Sequence, residues 1–243
     1  MNMPHLQKVA WITGGTRGVG RALAKRFCAE GFRVIATYSA DEAAAEDLRR
    51  SLPADVIRTD VRDAHALEEL GHFIASQYGR LDVLVNNAGI GAVGDVEAMG
   101  DAQFHDVLDV NVVGKYRCIQ VALPFMKQSG GGCVVNVASA SGVNASREMS
   151  AYCSAAAAII MLTRCAALDL APWNIRVNCV SPSMIDSGMS LRCFSQSDRD
   201  AVQSANPLHR LCTKDDVVEC VWWLCSDKSS YINGENILLT GGK

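Results

Sequence analysis

Two periods of apolar and polar residues take turns along this chain. Short apolar runs that predict buried strands fall at Val9-Ala10-Trp11-Ile12 and at residues 33–37, 55–59, 81–85, 133–137, 175–180 and 236–240. Between them, apolar residues recur at helical spacing. Val19, Leu23, Phe27 and Cys28 mark one helix, and residues 41–51 form a polar, alanine-rich second. Asp63 predicts the cap of a third, whose stripe is Leu67, Leu70, Phe73 and Ile74. Residues 101–127 predict a long helix. Residues 150–170 are apolar on nearly every side, including Ile159, Ile160, Met161, Leu162 and Leu168. Such a helix is buried on more than one face, here the sheet and, on expectation, a second subunit. Thr213 with Asp216 three positions on predicts a capping box, and Val217, Val221 and Leu224 face inward after it. Seven strands alternating with helices predict an α/β fold: a doubly wound parallel sheet with helices on both faces. No linker, repeat or charge block divides residues 1–243, which read as one domain. The rhythm breaks at residues 182–212, where Met184, Ile185, Met189, Leu191 and Phe194 stand among polar residues; this stretch predicts a lid over a binding site.

Composition narrows the function classes. A net charge of -3 supplies no basic field, which argues against a nucleic-acid partner. No signal-like segment opens the chain and no apolar run looks long enough to span a bilayer, so a cytoplasmic protein with no membrane partner is the expectation. Ten cysteines invite a metal or disulfide reading, but they show no C-x-x-C spacing and the five histidines form no ligand pattern. Cys133, Cys165, Cys179 and Cys220 sit in apolar runs and are expected to act as small buried hydrophobes, with no metal site.

Chemistry enters at Thr13-Gly14-Gly15-Thr16-Arg17-Gly18-Val19-Gly20, between the first strand and the first helix. Glycines let the backbone turn tightly and approach a pyrophosphate, and a helix N-terminus offers it free N–H groups. The G-x-x-x-G-x-G spacing, followed by further motifs in order, resembles the short-chain dehydrogenase/reductase family over nearly the whole chain, and hence a Rossmann-type fold. The nearest look is to 3-oxoacyl-carrier-protein reductases and polyketide ketoreductases, on Thr16-Arg17, Pro207-Leu208-His209-Arg210-Leu211 and Tyr231-Ile232-Asn233-Gly234. The second strand ends in Thr37-Tyr38-Ser39 with no acid before Asp41, and Arg17 is placed to pair with a phosphate; both features favour NADP(H) over NAD(H). The resemblance implies cofactor contacts from Gly14, Thr16, Arg17, Gly18, Val19 and Gly20, and from Tyr38 and Ser39. It assigns Asp60 and Val61 to the adenine, Asn87, Ala88 and Gly89 to the adenine ribose, and Ile185 and Ser187 to the nicotinamide carboxamide. The family usually has Pro-Gly where this chain has Pro182-Ser183, so Ser183 is expected to take that shape at some conformational cost.

Reducing a carbonyl by hydride requires a proton donor to the oxygen as charge develops there. The resemblance implies Ser139 as the hydroxyl that holds the substrate oxygen, ahead of Ser141, Tyr152 as the proton donor, and Asn111 as the residue that holds a water of the proton relay. The family's lysine belongs four positions after the tyrosine; this chain has Ala156, and no other lysine lies on that helix. A deliberate lysine-to-alanine variant, a natural pseudoenzyme and an unusual member relying on Ser139 and Tyr152 alone all fit. Retention of the other motifs favours the first, with weak or absent activity expected. The implied function is an NADPH-dependent ketoreductase acting on a small carbonyl substrate, 3-oxoacyl or polyketide-like, free or carrier-protein-bound. The rivals are an inactive NADP(H)-binding regulatory or scaffold protein and an alcohol or sugar dehydrogenase acting oxidatively. Ser146, Arg147, Glu148 and Met149 are expected to border the pocket, and a homo-oligomer, dimer or tetramer, is implied by the family.

Overall fold

The computed structural model describes residues 7–186 and 188–243. Seven strands, β1 (Val9–Thr13), β2 (Arg33–Tyr38), β3 (Ala54–Arg58), β4 (Val83–Asn86), β5 (Gly132–Val137), β6 (Ile175–Pro182) and β7 (Asn236–Leu239), form one parallel sheet in the order β3-β2-β1-β4-β5-β6-β7. This is the doubly wound Rossmann-type α/β fold that the alternation predicts. Chain order reverses between β1 and β4, and the crevice beyond the C-terminal strand ends at that point is where ligands bind in open α/β sheets.

One face of the sheet carries α1 (Gly18–Ala29) and α9 (Lys214–Cys225), whose Leu23, Phe27, Val217 and Val221 pack on Ile12, Val85 and Val135. The other carries α3 (Ala64–Gln77) and α5 (Gly114–Gln128), with Leu67, Ile74, Cys118 and Met126 against Trp11, Leu84 and Val134. Asp41 caps α2 (Glu42–Ser51), Asp63 caps α3, and Thr213 with Asp216 makes the predicted capping box of α9. The predicted long helix is α4 (Asp101–Leu108) running into α5 through a π-helical turn, Asp109–Val113. Such wide turns often sit at functional sites.

The apolar helix is α6 (Ser150–Leu170), packed along β6. With the turn after it, Ser150–Trp173 spans 24 residues and holds an 18-residue window of mean hydropathy 1.6, long and apolar enough to cross a bilayer by length and composition. That corrects the expectation from uninterrupted runs, which Arg164 and Asp169 had broken. Its apolar character is that of a core helix, since Ala155, Ile159, Thr163 and Ala167 are buried on the sheet side. Met161 and Leu168 face outward, 54% and 79% exposed. Cys165 is also exposed, against the expectation that its apolar run buries it.

Candidate active site

The site begins where β1 stops. Gly14 and Gly18 take φ of +62° and +56°, in the left-handed region, so the chain reverses there without a Cβ penalty. Arg17, the residue before α1, gives the helix no side-chain cap, which leaves first-turn N–H groups free for an anion. Gly20 has a different role. It does not line the cleft; a Cβ there would stand 2.0 Å from the Gly14 carbonyl oxygen and 2.7 Å from the Asn87 side-chain nitrogen. The Asn87 amide in turn donates to the carbonyls of Thr13 and Gly14 at 3.0 and 3.2 Å, and the Thr13 hydroxyl accepts from the backbone N–H groups of Asn87 and Ala88. The end of β4 is thereby stapled to the glycine loop.

A cleft of about 1390 Å³ opens over these strand ends. Gly14, Thr16, Arg17, Gly18 and Val19 line it on one side, with Tyr38 and Ser39 at the end of β2. Asp60, Val61, Asn87, Ala88 and Gly89 follow, and Asn111, Ser139, Tyr152, Ala156 and Ile185 close the far end. Ser187 lies outside the described residues. The arrangement fits a dinucleotide by its own features: a glycine loop with open space above Gly18, free helix N–H groups, and the buried Thr59 hydroxyl, which has no partner among the described residues and borders the cleft. Arg17 Nη1 donates to Asp41 Oδ2 at 3.1 Å, an ion pair with both side chains well exposed. Arg62 holds Asp60 through its side chain and backbone, which keeps that carboxylate below its ordinary pKa. Ser183 donates its N–H to the Leu239 carbonyl at 2.9 Å without a positive φ, so the predicted conformational cost at that position does not arise.

At the far end, the Tyr152 hydroxyl lies beside that of Ser139, close enough for Ser139 to favour the phenolate. Burial pushes the Tyr152 phenol above its ordinary pKa, and the neighbouring Ser139 hydroxyl offsets only part of that. Ser139 Oγ also accepts from Ser141 N at 3.1 Å, whereas Ser141 Oγ meets Ser146 Oγ, which separates the two candidate serines. The Asn111 side chain bonds the Ile90 backbone at both ends. Its oxygen accepts from Ile90 N and its nitrogen donates to Ile90 O, both at 2.9 Å, so it clamps the loop after β4 to the π-turn. Ser146, Arg147, Glu148 and Met149 border the cleft as expected, and Glu148 holds a φ of +58°. The segment expected to be a lid carries two short helices, α7 (Met189–Cys193) and α8 (Gln196–Ala205), and Met189, Cys193, Phe194 and Val202 line the cleft.

Sequence reasoning missed Lys115. It is 4% exposed, lines the cleft, and donates from Nζ to the Val137 carbonyl at the end of β5. The signal was present: Asn111, Lys115 and Cys118 share a helix face that is otherwise apolar and buried.

A family model described as Enoyl-(Acyl carrier protein) reductase matches residues 14–243. The 3-oxoacyl-(acyl-carrier-protein) reductase FabG of Staphylococcus aureus is 34% identical over 242 residues, covering 98% of both chains. The corresponding protein of Thermotoga maritima is 33% identical over 239 residues and 97% of both. Meso-2,3-butanediol dehydrogenase of Serratia marcescens is 36% identical over 238 residues, 97% of this chain and 94% of that one.

Proposed function

The chain belongs to the short-chain dehydrogenase/reductase family of oxidoreductases, and from that premise we propose that it reduces a carbonyl substrate with NADPH, Tyr152 delivering the proton. The observation that carries the reading is the juxtaposition of the Ser139 and Tyr152 hydroxyls at the end of a cleft whose other end is the glycine loop. When bound, the nicotinamide supplies hydride. Ser139 holds the substrate oxygen, and Tyr152 protonates it as charge develops there. Asn111 fixes the π-turn beside them through Ile90. Because burial raises the Tyr152 pKa, the phenol stays protonated through neutral pH, the state that an acid in reduction requires. Oxidation needs the phenolate and is expected to rise with pH. The 3-oxoacyl substrate class follows from the reductase relatives, and residues 182–212 act as its lid. The experiment is NADPH consumption with a 3-oxoacyl thioester beside a simple cyclic ketone; preference for the thioester supports the substrate class.

Cofactor choice rests on Arg17. Its exposed pair with Asp41 is worth only about 0–1 kcal/mol, so a 2′-phosphate displaces Asp41 readily. Arg17→Ala is expected to weaken NADPH binding about 10- to 100-fold, the worth of a charge-assisted hydrogen bond, and to leave NADH nearly unchanged. Fluorescence titration checks this; equal loss for both cofactors contradicts it.

Two rival readings have observations of their own. The butanediol dehydrogenase relative favours oxidation of an alcohol, and Ala156 favours a chain that binds the cofactor without turning it over, by design or by descent. Assembly is proposed through the outward face of α6. Sedimentation is expected to show a dimer or tetramer, and Leu168→Glu to reduce it to monomers; a monomeric parent chain contradicts the proposal.

A further inference from the structure

We propose that Lys115 takes the place of the lysine missing at position 156, presenting its cation to the nicotinamide end of the cleft from α5 instead of α6. The inference rests on the reductase reading above and names a positioning residue for it.

Three observations carry it. First, Lys115 and Ala156 line the same cleft. Val112, one turn before Lys115, packs against the cluster that holds Ala151 and Ala155 and against the one that holds Ile159 and Ile160, on the helix that carries Ala156. Second, Lys115 is buried, and its ammonium has three N–H donors. One goes to the Val137 carbonyl; the other two have no acceptor among the described residues. A buried cation left with free donors at a cleft wall is poised for a ligand with oxygen acceptors, such as ribose hydroxyls. Third, Ala156 puts only a methyl at the cleft wall, beside Gly142, and brings no cation of its own there.

The lysine is also tuned. Burial pulls its pKa down to about 8, opposed by Cys179 and Cys118. The titratable groups that act on it are Cys118 on α5 and Cys179 on β6; burial holds both above their ordinary values, so they are neutral where Lys115 titrates.

The test compares the chain with Lys115→Met, Lys115→Gln, Ala156→Lys and the double variant Lys115→Met/Ala156→Lys, by NADPH affinity across pH about 8 and by single-turnover reduction. Lys115→Gln keeps a donor for Val137 without the charge. The proposal expects both Lys115 variants to bind NADPH about tenfold more weakly and to reduce about 10²- to 10⁴-fold more slowly. It expects the loss of affinity above pH about 8 to vanish in them, and the double variant to recover. If Lys115→Gln matches the parent chain, Lys115 is only a structural hydrogen bond and the proposal is overturned, with the reductase reading intact. If the parent binds NADPH but only Ala156→Lys turns over, the proposal is likewise overturned and the reading stands. If no form binds or oxidises NADPH, the reading fails and the proposal falls with it.

Discussion

Tyr152→Phe lowers single-turnover reduction by about 10²- to 10⁴-fold, the usual worth of a positioned acid. The ring stays, so packing against the cleft wall is kept and only the Oη beside Ser139 is lost. NADPH affinity should therefore change no more than a few-fold and the thermal midpoint little. This separates proton delivery from cofactor binding: a rate within about tenfold of the parent removes Tyr152 from the chemistry, because a solvent proton would then serve as well.

The second large effect is at the other end of the cleft. Gly20→Ala puts a methyl 2.0 Å from the Gly14 carbonyl, which is backbone and cannot swing away. The loop must shift, breaking the Asn87 bonds that tie it to β4. Overpacking of this kind costs about 1–3 kcal/mol or more, and the displaced loop no longer presents its N–H groups to a pyrophosphate. NADPH binding should drop by more than about 100-fold, with a lower thermal midpoint. Gly18→Ala is the comparison. Nothing lies within 4 Å of its added carbon, so its penalty is the positive φ of +56° alone, and the loop should stay in place. Equal affinity in Gly20→Ala and the parent would show that the loop geometry does not set binding.

Much of this was legible along the chain because its causes are local. Strand–glycine–helix succession, the caps at Asp63 and Thr213, and Tyr152 on its helix each need only a few neighbouring residues. What escaped were relations between distant segments. Lys115 and Ala156 stand 41 positions apart and come to line one cleft only because the fold packs the π-turn on α6. The Arg17–Asp41 pair joins a loop to a helix cap, a relation that no local pattern carries. The apolar α6 misled in another way: helix length counts through Arg164 and Asp169, which a search for unbroken apolar runs does not see.

The most direct test of the central claim is a stopped-flow single turnover of the unaltered chain, preloaded with NADPH and mixed with a 3-oxoacyl thioester. The account predicts one NADPH oxidised per site, with the hydroxyacyl thioester formed in equal amount. A chain that binds NADPH tightly yet oxidises none, even with Ala156→Lys in place, would contradict it and leave a cofactor-binding protein without this chemistry.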